Sequence, residues 1–580
     1  MTGQNVIHWL KQGRGATVLK ALALLLGLVA LSVTVAYKQF HGPRTEETLR
    51  QADLGRSVAA GQGFTSSINY PQVQATMERR GQLFDQQGRM PEVYQAPGYA
   101  VLIAGVLAVL PDGLYQSIFD HAPTPPDGFG ADYVLLVLNV VLLWVAALQT
   151  WRLGTRLFDA RAGGLAALVV MISTPIWAHV VAVDGTALVM VLVLGLFQVL
   201  TVADEAVVAG KSGHGAWLGA GVLVGLLFLT DYPLGMLGVV AAGFAGMRGR
   251  WGGSALLLLA ALLVVSPWVM RNVNVIGSPV GLASQGLALK VGDSTADPTT
   301  WRTTLSAKPP ELSLNKLGNK TLTALKQALS DDLWAGGGMV LTAFFVTGWI
   351  YRFRREGTNR LRTLFAVALG VMILAQGLMN SGEGERPAVT VAAPLVILFG
   401  AGFFSVLVAS SSALRAWPKV AAAGLLVLQG LPLVHDIAEP RRIHFSYPPY
   451  VPSFFMALGQ EMKQRAGPVG GWMADVPAGA AWYSGQRVWA QPASLRDFYA
   501  VHVEQPILSL VLTPETLDRP FFAELAGDTT STSRFGEWGK IYTGLISGRM
   551  SGEFPLSDSQ QMSENLYLLL DRSWNQRRGK

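Results

Sequence analysis

The feature that most restricts this chain is its series of apolar stretches without a single charge, such as 134–150 and 387–409. A helix needs about 20 mostly apolar residues to cross the hydrocarbon core of a bilayer. Among 580 residues, 51% are apolar and only 14% charged, so these stretches dominate the fold. They predict a polytopic α-helical membrane protein.

Apolar runs lie near 21–37, 133–150, 163–180, 185–203, 215–230, 234–247, 254–270, 334–351, 363–380, 387–409 and 418–435. Lys11, Arg14 and Lys20 precede the first, which reads as a signal anchor with a cytoplasmic N-terminus. The short loops 151–161, 247–252, 352–362 and 410–419 are basic. Basic short loops stay in the cytoplasm. All four do so only if 38–132 is one outside loop. The apolar segment 96–110 is short for a span and is expected to be interfacial or re-entrant. About eleven spans result, with three outside regions: 38–132, 271–333 and 436–580.

The expected organisation is therefore a transmembrane domain over 1–435 and a small extracytoplasmic α/β domain over 436–580. In the latter, 453–465 reads as a helix, and "GGWMADVPAGAAWYSGQRVWA" and "PILSLVLTPE" read as short strands between Gly/Pro turns. The net charge of +7 sits in the short loops and calls for no nucleic-acid partner. There is no cysteine, so no disulfide and no thiolate chemistry. P-loop, dinucleotide and HExxH patterns are missing.

The spans carry few ionisable residues, whereas a coupled transporter keeps costly charges inside them. Acids instead cluster at outward helix ends, which places the chemistry at the outer interface. In "RTEETLRQADLGRSVAAGQGF" (44–64), Thr45 is a candidate N-cap with Glu46 and Glu47 in the first turn. Glu46, Arg50 and Asp53 share a face, and Gly61 and Gly63 end the helix. Charge pattern alone leaves two readings, a capped interface helix with surface ion pairs or a platform presenting a carboxylate base. Asp184 is the second acid. It is a candidate N-cap for the helix that follows and is expected at a depth similar to Glu46; nearby His179 reads as a helix-end histidine. Arg271, Arg386 and Lys290 are candidates either for snorkelling or for holding a lipid phosphate. Tyr94 and Tyr99 read as interface aromatics.

The anchor helix, the acidic pair, the Gly-x-Gly-Phe ending and "APGYAVLIAG" resemble the first outside loop of GT-C glycosyltransferases. The likeness is to the protein O-mannosyltransferase and aminoarabinose-transferase group. "LGTRLFDARAGGLAALVVMISTPIWAHVVAVDGTAL", "SPWVMRNVNVIGSPV" and "ERPAVTVAAPLVILFGAGF" extend it over about residues 18–410.

The resemblance implies transfer of a sugar from a polyprenyl-phosphate carrier to a lipid, glycan or protein acceptor outside the membrane, here a bacterial cytoplasmic membrane. It places the catalytic acid on Glu46, its following acid on Glu47 and the second-loop acid on Asp184. Arg271 and Arg386 then contact the carrier phosphate, with Lys290 a further candidate. The family has Asp where this chain has Glu46, which keeps Asp53 open as the base. The family's tyrosine after the acids is replaced by Leu49 and Arg50. No cofactor is predicted, though some proteins of this fold use a divalent metal. A silent membrane scaffold and a lipid or glycan transporter remain the alternatives.

Overall fold

The structure is a computed structural model that describes residues 14–82, 88–121, 128–288, 301–305, 312–379, 387–439, 452–465, 470–517, 538–563 and 565–574. Among the described residues, seven helices are long and apolar enough to cross a membrane, and three bent pairs raise the number to as many as ten. Two shorter apolar helices, His214–Thr230 and Tyr232–Met247, complete the set. The chain is an integral membrane protein.

The breaks have local causes. Between Ala160–Ile172 and Thr174–Ala182 the axis turns by 52°, at a Ser-Thr-Pro sequence whose proline cannot donate into the preceding turn. The run 334–351 differs from the straight span expected of it. It is split at Gly337 and Gly338 into Leu317–Gly336 and Met339–Ile350, which meet at 113°. Gly338 has φ +68°, a conformation that costs any other residue energy.

The segment 96–110 is not a straight span. Helix Gly98–Val109 turns by 117° at Leu110–Pro111 into Asp112–Asp120. Helix Glu46–Ala59 packs on it closely, for a Cβ on Gly55 would stand 2.7 Å from Ile103 Cγ2. Three basic loops meet at one end of the bundle. Asp204 pairs with Arg248 at 2.9 Å and Arg360 at 2.6 Å, and Arg355 donates to the Arg156 carbonyl at 2.7 Å.

The C-terminal region forms helix Pro452–Arg465 and most of a six-stranded sheet. The strand order is Ile68–Asn69, Val488–Ala490, Gly471–Ala474, Ile507–Leu512, Leu566–Leu570 and Asp558–Ser563. The first four strands run parallel, and Leu566–Leu570 pairs antiparallel with both of its neighbours, Ile507–Leu512 and Asp558–Ser563. One edge strand, Ile68–Asn69, comes from the first outside loop, so the sheet crosses the expected boundary at 435.

Helix Pro477–Ser484 docks this sheet on the bundle. Trp482 lies edge-on to Phe119 and Phe129, with ring centroids at 5.3 and 6.2 Å. Its indole N–H and the Tyr483 hydroxyl both donate to the buried Asp132 carboxylate, each at 2.9 Å. Acceptor-rich carboxylates suit two buried donors.

Candidate active site

Helix Glu46–Ala59 begins as its sequence dictates. Thr45 is extended, at φ −136°, and its side chain accepts from the Thr48 N–H at 3.2 Å. Two acids then occupy the first turn, where the helix dipole favours negative charge. Consecutive helical residues point about 100° apart, and here that step separates two destinations.

Glu46 reaches the C-terminal domain. Its carboxylate accepts from the N–H groups of Ala478 and Gly479, at 2.9 and 3.2 Å, in the first turn of Pro477–Ser484. Those N–H groups have no acceptor within their own helix. Glu47 instead lines a cavity of about 220 Å³. The resemblance had put the base on Glu46; among the described residues it is Glu47 that faces the cavity.

Asp231 and Asp332 add two more acids to the cavity wall, and Arg302 a cation. Asp231 accepts from Gln376 Nε2 at 3.0 Å. The Arg302 guanidinium lies over the Tyr94 ring, 4.6 Å from its centroid. Trp301 Nε1 donates to Gln285 Oε1 at 2.7 Å. Glu92 holds the adjoining turn, accepting from the Tyr94 and Gln95 N–H groups at 2.7 and 3.0 Å.

The amides of Gln51 and Gln95 also line this wall. Gln51 Nε2 donates to the Ala96 carbonyl at 3.3 Å. Gln51 Oε1 and both amide atoms of Gln95 are buried with no hydrogen-bond partner among the described residues. Such groups carry an uncompensated desolvation cost of about 1–3 kcal/mol each. Sites that bind polar ligands keep groups of this kind.

The tyrosines here are not bases. Burial pushes the Tyr70 hydroxyl up to about 12, against the lowering effect of Arg50. Burial likewise raises Tyr94 well above the ordinary phenol value. Both remain protonated near neutrality. Tyr94 donates to Gln72 Oε1 at 2.7 Å.

The other expected site residues lie elsewhere. Asp53 is buried and accepts from Ser66 Oγ at 3.1 Å and the Ser67 N–H at 2.8 Å, so it fastens the loop after its own helix. Arg50 is also buried and donates to Tyr70 Oη at 3.3 Å. Of the face shared by Glu46, Arg50 and Asp53, the latter two are thus interior and Glu46 is half-buried, which does not fit the reading as surface ion pairs.

Asp184 accepts from the Thr186 N–H at 2.9 Å, a capping contact, and lies 2.5 Å from His179 Nδ1. It is not among the described residues lining the cavity with Glu47, whereas Asp231 and Asp332 are. Arg271 donates to the carbonyls of Glu92 and Phe64, the latter at 2.9 Å, and stacks on Trp268. It ties two loops together rather than lining the cavity. Arg386 and Lys290 lie outside the described residues.

Asp231, Arg302, Asp332 and Gln95 escaped the sequence reading. Only Asp231 carried a usable signal, a lone acid before "YP" at the hinge of two apolar runs, the same signal that singled out Asp184. The other three stand in segments whose place in the fold depends on distant packing.

A second cavity of about 720 Å³ lies behind the first helix. Lys38, His41 and Arg44 line it together with Trp334, Met339 and Pro432. Asp436 and Glu515 also line it, so its polar part carries both signs of charge.

Comparison of the sequence with protein-family models and with curated proteins gives no match. Solved structures do match. ArnT from Cupriavidus metallidurans, bound to undecaprenyl phosphate, aligns over 96% of this chain and 98% of its own, with TM-score 0.51 and 13% identity. The Archaeoglobus fulgidus oligosaccharyltransferase, in a complex with Zn and sulfate, aligns over 86% of this chain and 69% of its own, with TM-score 0.51 and 13% identity. The chain has the GT-C fold.

The archaeal oligosaccharyltransferase AglB from Archaeoglobus fulgidus, in complex with an inhibitory peptide and a dolichol-phosphate, matches as well. It shows TM-score 0.50 and 13% identity over 87% of this chain and 71% of its own. Among the described residues no three His, Cys, Asp or Glu side chains stand close enough to hold a metal ion. Glu47, Asp231 and Asp332, though they line one cavity, are not such a group.

Proposed function

We propose that this chain is a glycosyltransferase that moves a sugar from a polyprenyl-phosphate carrier to an acceptor at the outer face of a bacterial cytoplasmic membrane. The observation that carries this reading is the cavity in which Glu47 faces Arg302, Asp231 and Asp332. The GT-C fold and the undecaprenyl phosphate bound by ArnT support it.

Glu47 is the base. Its carboxylate takes the proton of the acceptor hydroxyl or amine, the freed lone pair attacks the anomeric carbon, and the bond from that carbon to the carrier phosphate breaks. The leaving phosphate keeps the bonding electrons, and the Arg302 guanidinium stabilises its added charge. Gln51 and Gln95 supply amide groups suited to sugar hydroxyls, and Trp301 offers a ring face. In this reading Glu46 and Asp184 keep structural roles, and Arg271 positions the loops of the site. The basic loops at the opposite end from Glu47 support a cytoplasmic N-terminus and an outside C-terminal domain.

Mass spectrometry of lipids retained by the purified wild-type protein, Glu47→Gln and Arg302→Ala tests the proposal. The expected result is polyprenyl phosphate or its glycosylated form on the wild type, with the glycosylated form enriched in Glu47→Gln. Bulk phospholipid alone in all three samples would overturn it in favour of a membrane scaffold.

A further inference from the structure

We propose that Glu46 is a positioning residue through which the C-terminal domain fixes the direction of Glu47. The inference rests on Glu47 acting in the cavity, as proposed above. It assigns the outer domain a part in the active site that fold similarity alone does not.

The two helices clasp at two points. At its start, Glu46–Ala59 places the Glu46 carboxylate on the N–H groups of Ala478 and Gly479. Ten residues later, Arg56 donates to the Trp482 carbonyl at 3.4 Å and lies 4.1 Å over the Phe119 ring. A carboxylate therefore meets the positive end of Pro477–Ser484, and a guanidinium cation meets a carbonyl near its negative end. Two anchors along one helix remove its freedom to turn about its own axis. That freedom matters most at Glu47, since a single residue step of rotation, about 100°, would carry its carboxylate off the cavity wall.

Further contacts hold the same unit. Asp132 binds Trp482 and Tyr483, and a Cβ built on Gly42 would lie 3.6 Å from Asp132 Oδ2. The chain leading into the acidic helix thus runs along this latch. The chain leaving that helix enters the C-terminal sheet as strand Ile68–Asn69. The carboxylate of Glu46 is the direct link, one residue from the proposed base.

The chain lacks cysteine, so introduced thiols report without background. The full-length Glu47→Cys protein in lipid nanodiscs is treated with a charged methanethiosulfonate, and its labelling rate is measured. The rate is compared in three backgrounds: unchanged, Glu46→Ala and Ala478→Pro. Proline at 478, in the first helical turn, removes one of the two N–H groups that Glu46 accepts from, leaving that of Gly479. Gln376→Cys, on another wall of the same cavity, is the control.

The expected outcome is a severalfold change in the Glu47→Cys rate in both altered backgrounds, with the Gln376→Cys rate constant. Equal Glu47→Cys rates in all backgrounds would overturn the proposal. So would parallel changes at both positions, which mark general loosening. Undecaprenyl phosphate is added to each sample as a probe. If it protects neither thiol in the unchanged background, the carrier reading fails, while the rate comparison still decides the positioning role.

Discussion

Glu46 and Glu47 are neighbours in the chain and face different domains. The Glu46 carboxylate is held by the Ala478 and Gly479 N–H groups, and the Glu47 side chain lines the cavity of the membrane domain. The cavity carboxylate is thus one helical step from an anchor to a segment more than four hundred residues away, for the Glu46 contacts span 432 and 433 positions.

Arg302 is expected to discriminate by geometry as well as charge. A guanidinium can hold two phosphate oxygens at once and stack on a ring, and an ammonium cannot. Arg302→Lys should therefore retain less polyprenyl phosphate than the wild type, and Arg302→Ala the least. Quantifying retained carrier against total bound lipid checks this order. Equal loading in all three would remove Arg302 from the phosphate site.

Gln95 separates binding from stability. A buried amide without a partner contributes no protein hydrogen bond, so its loss should not weaken the fold. Gln95→Leu is expected to melt at or above the wild-type temperature and to transfer sugar poorly. A clear fall in melting temperature would show instead that the amide is structurally bonded.

Asp132 should matter mainly to the joint between domains. Asp132→Ala leaves the Trp482 indole and the Tyr483 hydroxyl without their acceptor, at about 1–3 kcal/mol for each buried donor. Asp132→Asn keeps one carbonyl acceptor and should lose less. Limited proteolysis of the C-terminal domain, followed alongside thermal melting, reads the difference. Equal protease resistance in Asp132→Ala and the wild type would contradict the latch.

Asp475 gives the C-terminal domain a pH dependence. Burial raises its carboxyl from 3.8 to about 6, against the lowering effect of the Thr513 hydrogen bonds. The folded state then holds a proton that the unfolded chain releases at lower pH. Its contribution to stability is full below the unfolded value and is lost as pH rises through the folded one. Stability should accordingly decline between about pH 4 and 6, and Asp475→Asn should flatten that decline. Chemical denaturation across this range measures both slopes, and identical slopes would exclude Asp475 as the source.

Hydropathy is a local property written along the chain, and it decided much of this protein. The apolar runs, the break-prone segment 96–110 and the α/β character of 453–515 follow from residues close in sequence. The Thr45 cap and the Asp184 contact with Thr186 follow in the same way, because a side chain bonding two or three residues ahead needs no distant partner.

The direction of a carboxylate is different. Nothing within 44–64 says whether Glu46 or Glu47 enters a cavity, since helical rotation depends on what the other faces meet. Packing against Pro477–Ser484 and Gly98–Val109 settled that rotation. Tertiary packing also buried Arg50 and Asp53, against Tyr70, Ser66 and Ser67, although alone they resemble a solvated charge pattern. It also drew Asp231, Arg302 and Asp332 to Glu47 from three separate regions. Sequence determined which segments meet the membrane. Only tertiary contact decided which acid lines the cavity, because that choice is made by partners hundreds of residues apart.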